Sequence, residues 1–243
     1  MQYNGKSDSH PYHINVILMR RLILIFIILF IPSIAFAQTV NDFFNKAITE
    51  FRKGNYNEAI VYFQKCIDNE PEGAIEAEAY ANIAAINNLD GKYKQAINNS
   101  NKSIEINPSN IRAYVERGAA NLAQGNKEIA ITDFSVAINL DKKNIFLSSR
   151  IRAFVHRGVA RAGLGDFNGA IEDYDAAIAL GSNDTRNPEI MKGYMARGIS
   201  KIRIGQIESG CSDFLMAGKL GSKEAYEFAN KLSHKYGINC SKD

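Results

Sequence analysis

Residues 154–178 read FVHRGVARAGLGDFNGAIEDYDAAI. An aromatic residue opens the stretch at Phe154, glycines follow at Gly158 and Gly165, and then Ala170, Ile171, Tyr174, Ala177 and Ile178 step by three and four. Such steps place side chains on one face of an α-helix, whose period is about 3.6 residues. Gly165 stands between the two halves, where a chain that reverses direction needs a residue at ease in the left-handed conformation. The stretch therefore predicts a helix of about thirteen residues, a tight turn and a second helix antiparallel to the first.

The same register recurs along the chain. Aromatic anchors stand at Phe43, Tyr80, Tyr114, Phe154 and Tyr194, with spacings of 37, 34, 40 and 40. Four residues after each anchor lies a small residue, namely Ala47, Ala84, Gly118, Gly158 and Gly198. Eleven after each lies a glycine: Gly54, Gly91, Gly125, Gly165 and Gly205. At average glycine usage five such matches have a chance probability on the order of 10⁻⁶. Twenty after come Phe63, Ser100, Phe134, Tyr174 and Phe214, and twenty-three after come Cys66, Ser103, Ala137, Ala177 and Ala217. Small residues let two helices approach, and aromatic ones fill the gaps between hairpins. No hairpin buries its face alone, so the units must stack.

Aromatic, small, Gly, Ala, aromatic, Ala and then Pro71 or Pro108, at a pitch near 34 residues, resembles the tetratricopeptide repeat family. The resemblance is closest in Tyr114-Val-Glu-Arg-Gly118, Phe154-Val-His-Arg-Gly158 and Tyr194-Met-Ala-Arg-Gly198. It implies an all-α, right-handed solenoid of about five helical hairpins over residues 38–222, with units near 40–73, 77–110, 111–144, 151–184 and 191–222. Lys142, Ser182 and Ser222 replace the boundary proline in the later units. Ser100 and Ser103 depart from the pattern, so the second helix of that unit is expected to be the loosest. Residues 223–243 follow as a capping helix and tail, with Ser222 as its N-cap, Ala225, Phe228, Ala229 and Leu232 on one face, and Gly237 at its end.

The N-terminus reads as an address. Arg20 and Arg21 precede ten apolar residues, Leu22 to Ile31, followed by Pro32 and the small-residue site Ala35-Phe36-Ala37. That order is a secretory signal peptide over 1–37, with Met1 and Met19 as alternative starts, and the run is half the ~20 residues a membrane span needs. The membrane thus enters only through the signal peptide before cleavage, and a periplasmic or secreted mature protein is expected. Lys and Arg number 29 against 26 Asp and Glu, and without residues 1–37 the balance is 26 against 25. A body so near neutrality lacks the basic stripe that nucleic acid requires. Three cysteines and four histidines offer no recognisable metal pattern, and neither a metal nor a small-molecule cofactor is expected.

In this family the first helices face the concave groove. Two residues past the anchors stand Asn45, Asn82, Glu116, His156 and Ala196, and two before them a basic row, Arg112, Arg152 and Lys192. The row has two readings: a receptor for a peptide's carboxylate, or a solvated helix start. On the first, changing Arg112 and Arg152 to Ala should weaken partner capture and leave the melting temperature nearly unchanged. The family's carboxylate clamp is not supported, because Ile48, Ala85 and Ala119 hold the inner turns. The rest of the wall is apolar or small: Phe51, Leu122, Val155, Val159, Met195, Ile199 and Ile202. Arg117, Arg157 and Arg197 recur with Asp133, Asp173 and Asp213 as a ladder of ion pairs, worth ~0 to 1 kcal/mol each if exposed. Cys66 falls at a buried step, and an antiparallel cap would return Cys240 to Cys211, which predicts a disulfide between those two against the alternative of unlinked thiols.

Together these features predict a non-catalytic module that binds a protein or peptide in its groove. The alternatives are an adaptor of an envelope complex that uses its convex face, and an enzyme whose site is not recognisable. The charged outer faces of the second helices, as at Glu172, Asp173 and Asp175, favour the groove.

Overall fold

The computed structural model describes residue 19 and residues 39–69, 73–141, 146–182 and 187–240. The segment expected to be a signal peptide, apart from Met19, together with Pro71, Lys142 and residues 241–243, lies outside the described residues. Among those described, all regular structure is helical. The chain divides into two compact units, Met1–Glu70 and Pro71–Asp243.

The first unit holds α1 (39–53) and α2 (Tyr56–Asn69). Phe44 meets Phe63 edge-on at 5.6 Å between ring centroids, and Ala47 is buried. Cys66 is buried, forms no disulfide, and its thiol donates to the Tyr62 carbonyl.

The second unit is four hairpins and a last helix: α3 (Ala74–Leu89) with α4 (Tyr93–Ile106), α5 (Ile111–Ala123) with α6 (Lys127–Leu140), α7 (Leu147–Ala162) with α8 (Phe167–Leu180), α9 (Pro188–Arg203) with α10 (Ile207–Lys219), and α11 (Lys223–Tyr236). Each second helix packs on its partner and on the first helix of the next hairpin, while α3, α5, α7 and α9 also touch in succession as a continuous row. The five turn glycines have φ between 70° and 87°. One bond closes every turn, from the residue after the glycine to the carbonyl five positions back, as in Asp166 N to Arg161 O at 3.0 Å and Gln206 N to Lys201 O at 2.9 Å. This is the six-to-one bond of a helix that ends on a left-handed glycine.

Close approach explains the small residue four after the anchor. A Cβ on Gly118 would stand 2.7 Å from the Phe134 ring, and one on Gly158 would meet Tyr174. Phe134 and Tyr174 thus each sit in a glycine notch of their own hairpin. In the hairpin α3/α4 the knob is Ser100, and the notch is correspondingly filled by Ala84. The looseness expected there has a polar substitute: the buried Ser103 hydroxyl donates to Ala77 O at 2.7 Å and accepts from Asn110 at 3.1 Å. Asn110 in turn caps α5 through Ala113 N. Ser222 caps α11 by accepting from Ala225 N, and Gly237 ends it with φ 62°.

Candidate functional site

The row of first helices carries most of the residues singled out by sequence. Arg152 on α7 forks onto Glu116 on α5 at 2.7 and 3.3 Å, and Asn88 on α3 donates to the same carboxylate at 3.0 Å. Glu116 is 1% exposed. Burial pushes its carboxyl up, but the charge and hydrogen bonds of Arg152, with Asn88, overcome this and hold it below the usual range. Arg112 faces Glu78 at 3.8 Å. Lys192 lies 2.9 Å from one Glu189 oxygen, and His156 Nε2 lies 3.6 Å from the other. Burial raises the Glu189 carboxyl, yet the neighbouring His156 imidazole and the hydrogen bond from Lys192 bring it down to about 2. His156 also packs edge-on against Phe134 at 5.8 Å.

These distances correct the expectation of a receptive basic row. Each of its cations already faces a carboxylate of this chain, so the ridge is an alternation of paired charges. Asn82 is buried and donates to Glu78 O at 2.7 Å, and Glu116 is sealed by its partners, so neither lines an open groove. Arg152 is a structural residue, and its removal would leave a buried carboxylate unpaired. Asn45 is exposed on α1 of the first unit.

The second ladder is also more deeply built than expected. Arg117, Arg157 and Arg197 pair with Asp133, Asp173 and Asp213, which are buried rather than exposed. Each guanidinium lies over its unit's anchor ring, at 5.4 Å from Tyr114, 5.5 Å from Phe154 and 5.2 Å from Tyr194. Each also reaches back into the preceding hairpin, to Asn101, Ser135 and Asp175 respectively. Asp173 is therefore no part of a charged outer face, since Arg161 as well as Arg157 holds it.

Apolar side chains also stand open on the first-helix row. Val159 and Ile199 are 41% and 49% exposed, whereas Val155 is buried packing. Between α7, α8 and α9 lies a cleft of about 380 Å³ walled by Val159, Ala162, Phe167, Ala196 and Ile199, with Tyr174 and Ser200 beneath and Arg203 at its edge. Burial, with Asp173 nearby, raises the Tyr174 hydroxyl above its usual range, so it stays protonated beside Ser200. Arg203 was not singled out by sequence; the only signal for it is a cation nine residues past its anchor with no carboxylate in the matching register.

At the far end, Cys211 and Cys240 are disulfide-bonded, with Cα atoms 5.2 Å apart. The bond lies in a core of Phe214, Ala217, Ala225 and Ala229. Phe228 stacks on Phe214 at 5.5 Å, and Lys231 lies over Phe228, which repeats on α11 the cation-on-anchor arrangement of the earlier hairpins. The helix read as a cap thus shares one feature with the earlier first helices.

Known proteins share this architecture. The PilF protein of Pseudomonas aeruginosa superposes with a TM-score of 0.70 at 15% identity, over 84% of this chain and 86% of that one. YrrB, described as a tetratricopeptide repeat protein with an unusual peptide-binding site, superposes with a TM-score of 0.56 at 15% identity, over 81% of this chain and 98% of its own. By sequence, human DnaJ homolog subfamily C member 7 is 33% identical over 94 residues, or 39% of this chain. The chain spans 18% of the length of that relative. The family model described as Tetratricopeptide repeat matches residues 37–109, and the spacing of anchors and turn glycines in those residues recurs in the hairpins that follow.

Proposed function

We propose that the protein is a non-catalytic interaction scaffold, exported from the cytoplasm, that holds a peptide segment of a partner protein against the first helices α7 and α9. One observation carries this reading: the cleft between α7, α8 and α9 combines solvent-exposed Val159 and Ile199 with hydroxyl groups at its floor, the usual make-up of a binding site. Export rests on Arg20-Arg21, the apolar run and Ala35-Phe36-Ala37. The near-neutral body speaks against nucleic acid as the partner. His156 is engaged with Glu189 and Phe134, an environment of packing rather than of nucleophile activation.

The adaptor reading has its own support in Leu140, Phe146 and Leu147, exposed where α6 gives way to α7. Cross-linking pull-down from the envelope fraction separates the two. Ile199→Asp should abolish partner capture and Phe146→Asp should spare it; the reverse result would transfer the site to the α6–α7 edge. N-terminal sequencing of the recovered protein should begin at Gln38, and an intact Leu22–Ile31 segment would refute cleavage.

A further inference from the structure

Along the row of first helices the arginines of both ladders are partnered within the chain. Arg112, Arg117, Arg152, Arg157 and Arg197 each face a carboxylate. The last helix differs. On α11, Lys231 and Lys235 lie over rings instead, Phe228 at 5.7 Å and Tyr236 at 5.0 Å, and Glu224 and Glu227 form no ion pair among the described residues. All four charged residues are exposed. So is Phe228, at 41% against 9% for the anchor Phe154. It stacks on Phe214, but residues 237–240 leave its outward side uncovered. Gly237 ends the helix, and Ile238 and the Cys211–Cys240 bond hold the chain in the core that α11 shares with α10.

Glu224, Phe228, Lys231 and Lys235 step by four, three and four, which sets them in one stripe down the helix, with Glu227 beside it. Read along α11 the stripe is acidic, aromatic, basic and basic. Glu224 and Lys235 stand equally far, on opposite sides, from the midpoint between Ala229 and Asn230, and so do Phe228 and Lys231. A second α11 laid antiparallel about that midpoint therefore sets Lys235 of one copy against Glu224 of the other, and Lys231 against Phe228, twice each by two-fold symmetry. A parallel copy would set like charges together. Antiparallel is also the direction in which every hairpin of this chain pairs its helices, and it opposes the two helix dipoles favourably. We infer that the outward face of α11 is a self-association surface, on which a second copy of this chain packs its own α11 antiparallel and covers Phe228. A contact about 21 Å long between two single helices is small beside a standard interface, so the dimer is weak and forms as concentration rises.

The test is sedimentation equilibrium of the protein as recovered from cells, over about 2 to 200 µM. Monomer and dimer should coexist with a dissociation constant on the order of 10⁻⁵ M that rises with salt. Glu224→Lys alone and Lys235→Glu alone should each weaken the dimer at least about tenfold, since each sets two pairs of like charges together. Both changes in one chain should return the constant to within about threefold of the parent, because the pairs re-form with their signs exchanged. Within one chain the two positions lie about 16 Å apart along the helix axis, so the recovery reports contact between copies. Unaltered thermal melts of the three variants are the control for folding. A monomer throughout the concentration range would overturn the inference. A dimer that both single changes leave intact would place the contact elsewhere and overturn it too, as would single losses that the double variant fails to recover. Capture of a different protein by the monomeric chain, lost in Glu224→Lys, would give the face to that partner, again against the inference. None of these outcomes touches the scaffold reading, which the pull-down with Ile199→Asp judges separately.

Discussion

Two arginines of the same basic row have different duties, and the difference is burial. Arg112 and Glu78 face each other at 3.8 Å with both side chains 41% exposed, the geometry of a surface pair worth ~0 to 1 kcal/mol. Arg152 holds Glu116, whose carboxylate is screened from water by Asn88 and the packing of α5 against α7. Removing one partner of such a pair costs about 3 to 5 kcal/mol, because the remaining charge stays buried without compensation. Arg152→Ala should therefore lower the stability measured by denaturant titration by about 3 kcal/mol, and Arg112→Ala by less than ~1 kcal/mol. Glu116→Gln in the Arg152→Ala background should recover part of the loss, since the orphaned charge is then gone. Equal losses from the two single variants would show that burial does not set the hierarchy.

Among the elements, the α5/α6 and α7/α8 hairpins are each held by an aromatic knob seated in a glycine notch. Where the knob is Phe134 or Tyr174, the notch is Gly118 or Gly158; where it is Ser100, the notch is Ala84. Gly118→Ala would force its new methyl to within 2.7 Å of the Phe134 ring, so the α5/α6 hairpin must open or the ring must leave its rotamer. Overpacking of this kind costs ~1 to 3 kcal/mol. The expected outcome is a lower melting temperature for Gly118→Ala and, in the double variant with Phe134→Leu, a loss smaller than the sum of the two single losses. Additive losses would mean that ring and notch are independent. The arginine ladder works at the same scale, because Arg117, Arg157 and Arg197 each tie an anchor ring, an aspartate of their own hairpin and a side chain of the preceding hairpin. It sets how one hairpin sits on the next, and its first rung reaches Asn101 on α4.

For the molecule as a whole, the C-terminal end is where the stack must be closed. A stack of repeats leaves an apolar face at its last hairpin, and α11 covers it with Ala225 and Ala229 while turning Glu227 and Lys231 outward. The Cys211–Cys240 disulfide joins residues 29 apart in sequence and ties the tail to α10. Closing a loop of that length contributes about 3 to 4 kcal/mol in the chain-entropy account. Cys240→Ser should therefore lower stability by roughly that amount, with the earliest hydrogen exchange in α11 and with α5 to α8 little changed. Peptide mapping without reductant should show Cys66 as the single alkylatable thiol. Three alkylatable thiols would refute the bond.

The repeat itself was determined by the sequence, because its signals are local: a glycine that must adopt positive φ, a small residue where two backbones meet, and an aromatic residue at a fixed distance along the helix. Each is a demand the backbone makes within one hairpin, so it recurs wherever the hairpin recurs. The pairing of the arginine and aspartate ladders was legible for the same reason, as both partners lie 16 residues apart in every copy. The state of those charges was decided only by the tertiary structure. Whether Arg152 is free to meet a ligand depends on Glu116, 36 residues away on another helix, and whether Asp173 faces solvent depends on how α7 covers α8. The proposed site lies in the cleft beside Val159 and Ile199 instead of on the basic ridge, because burial and partnership are properties of packed surfaces. Residues of identical type and register acquire opposite roles according to what the neighbouring repeat places opposite them.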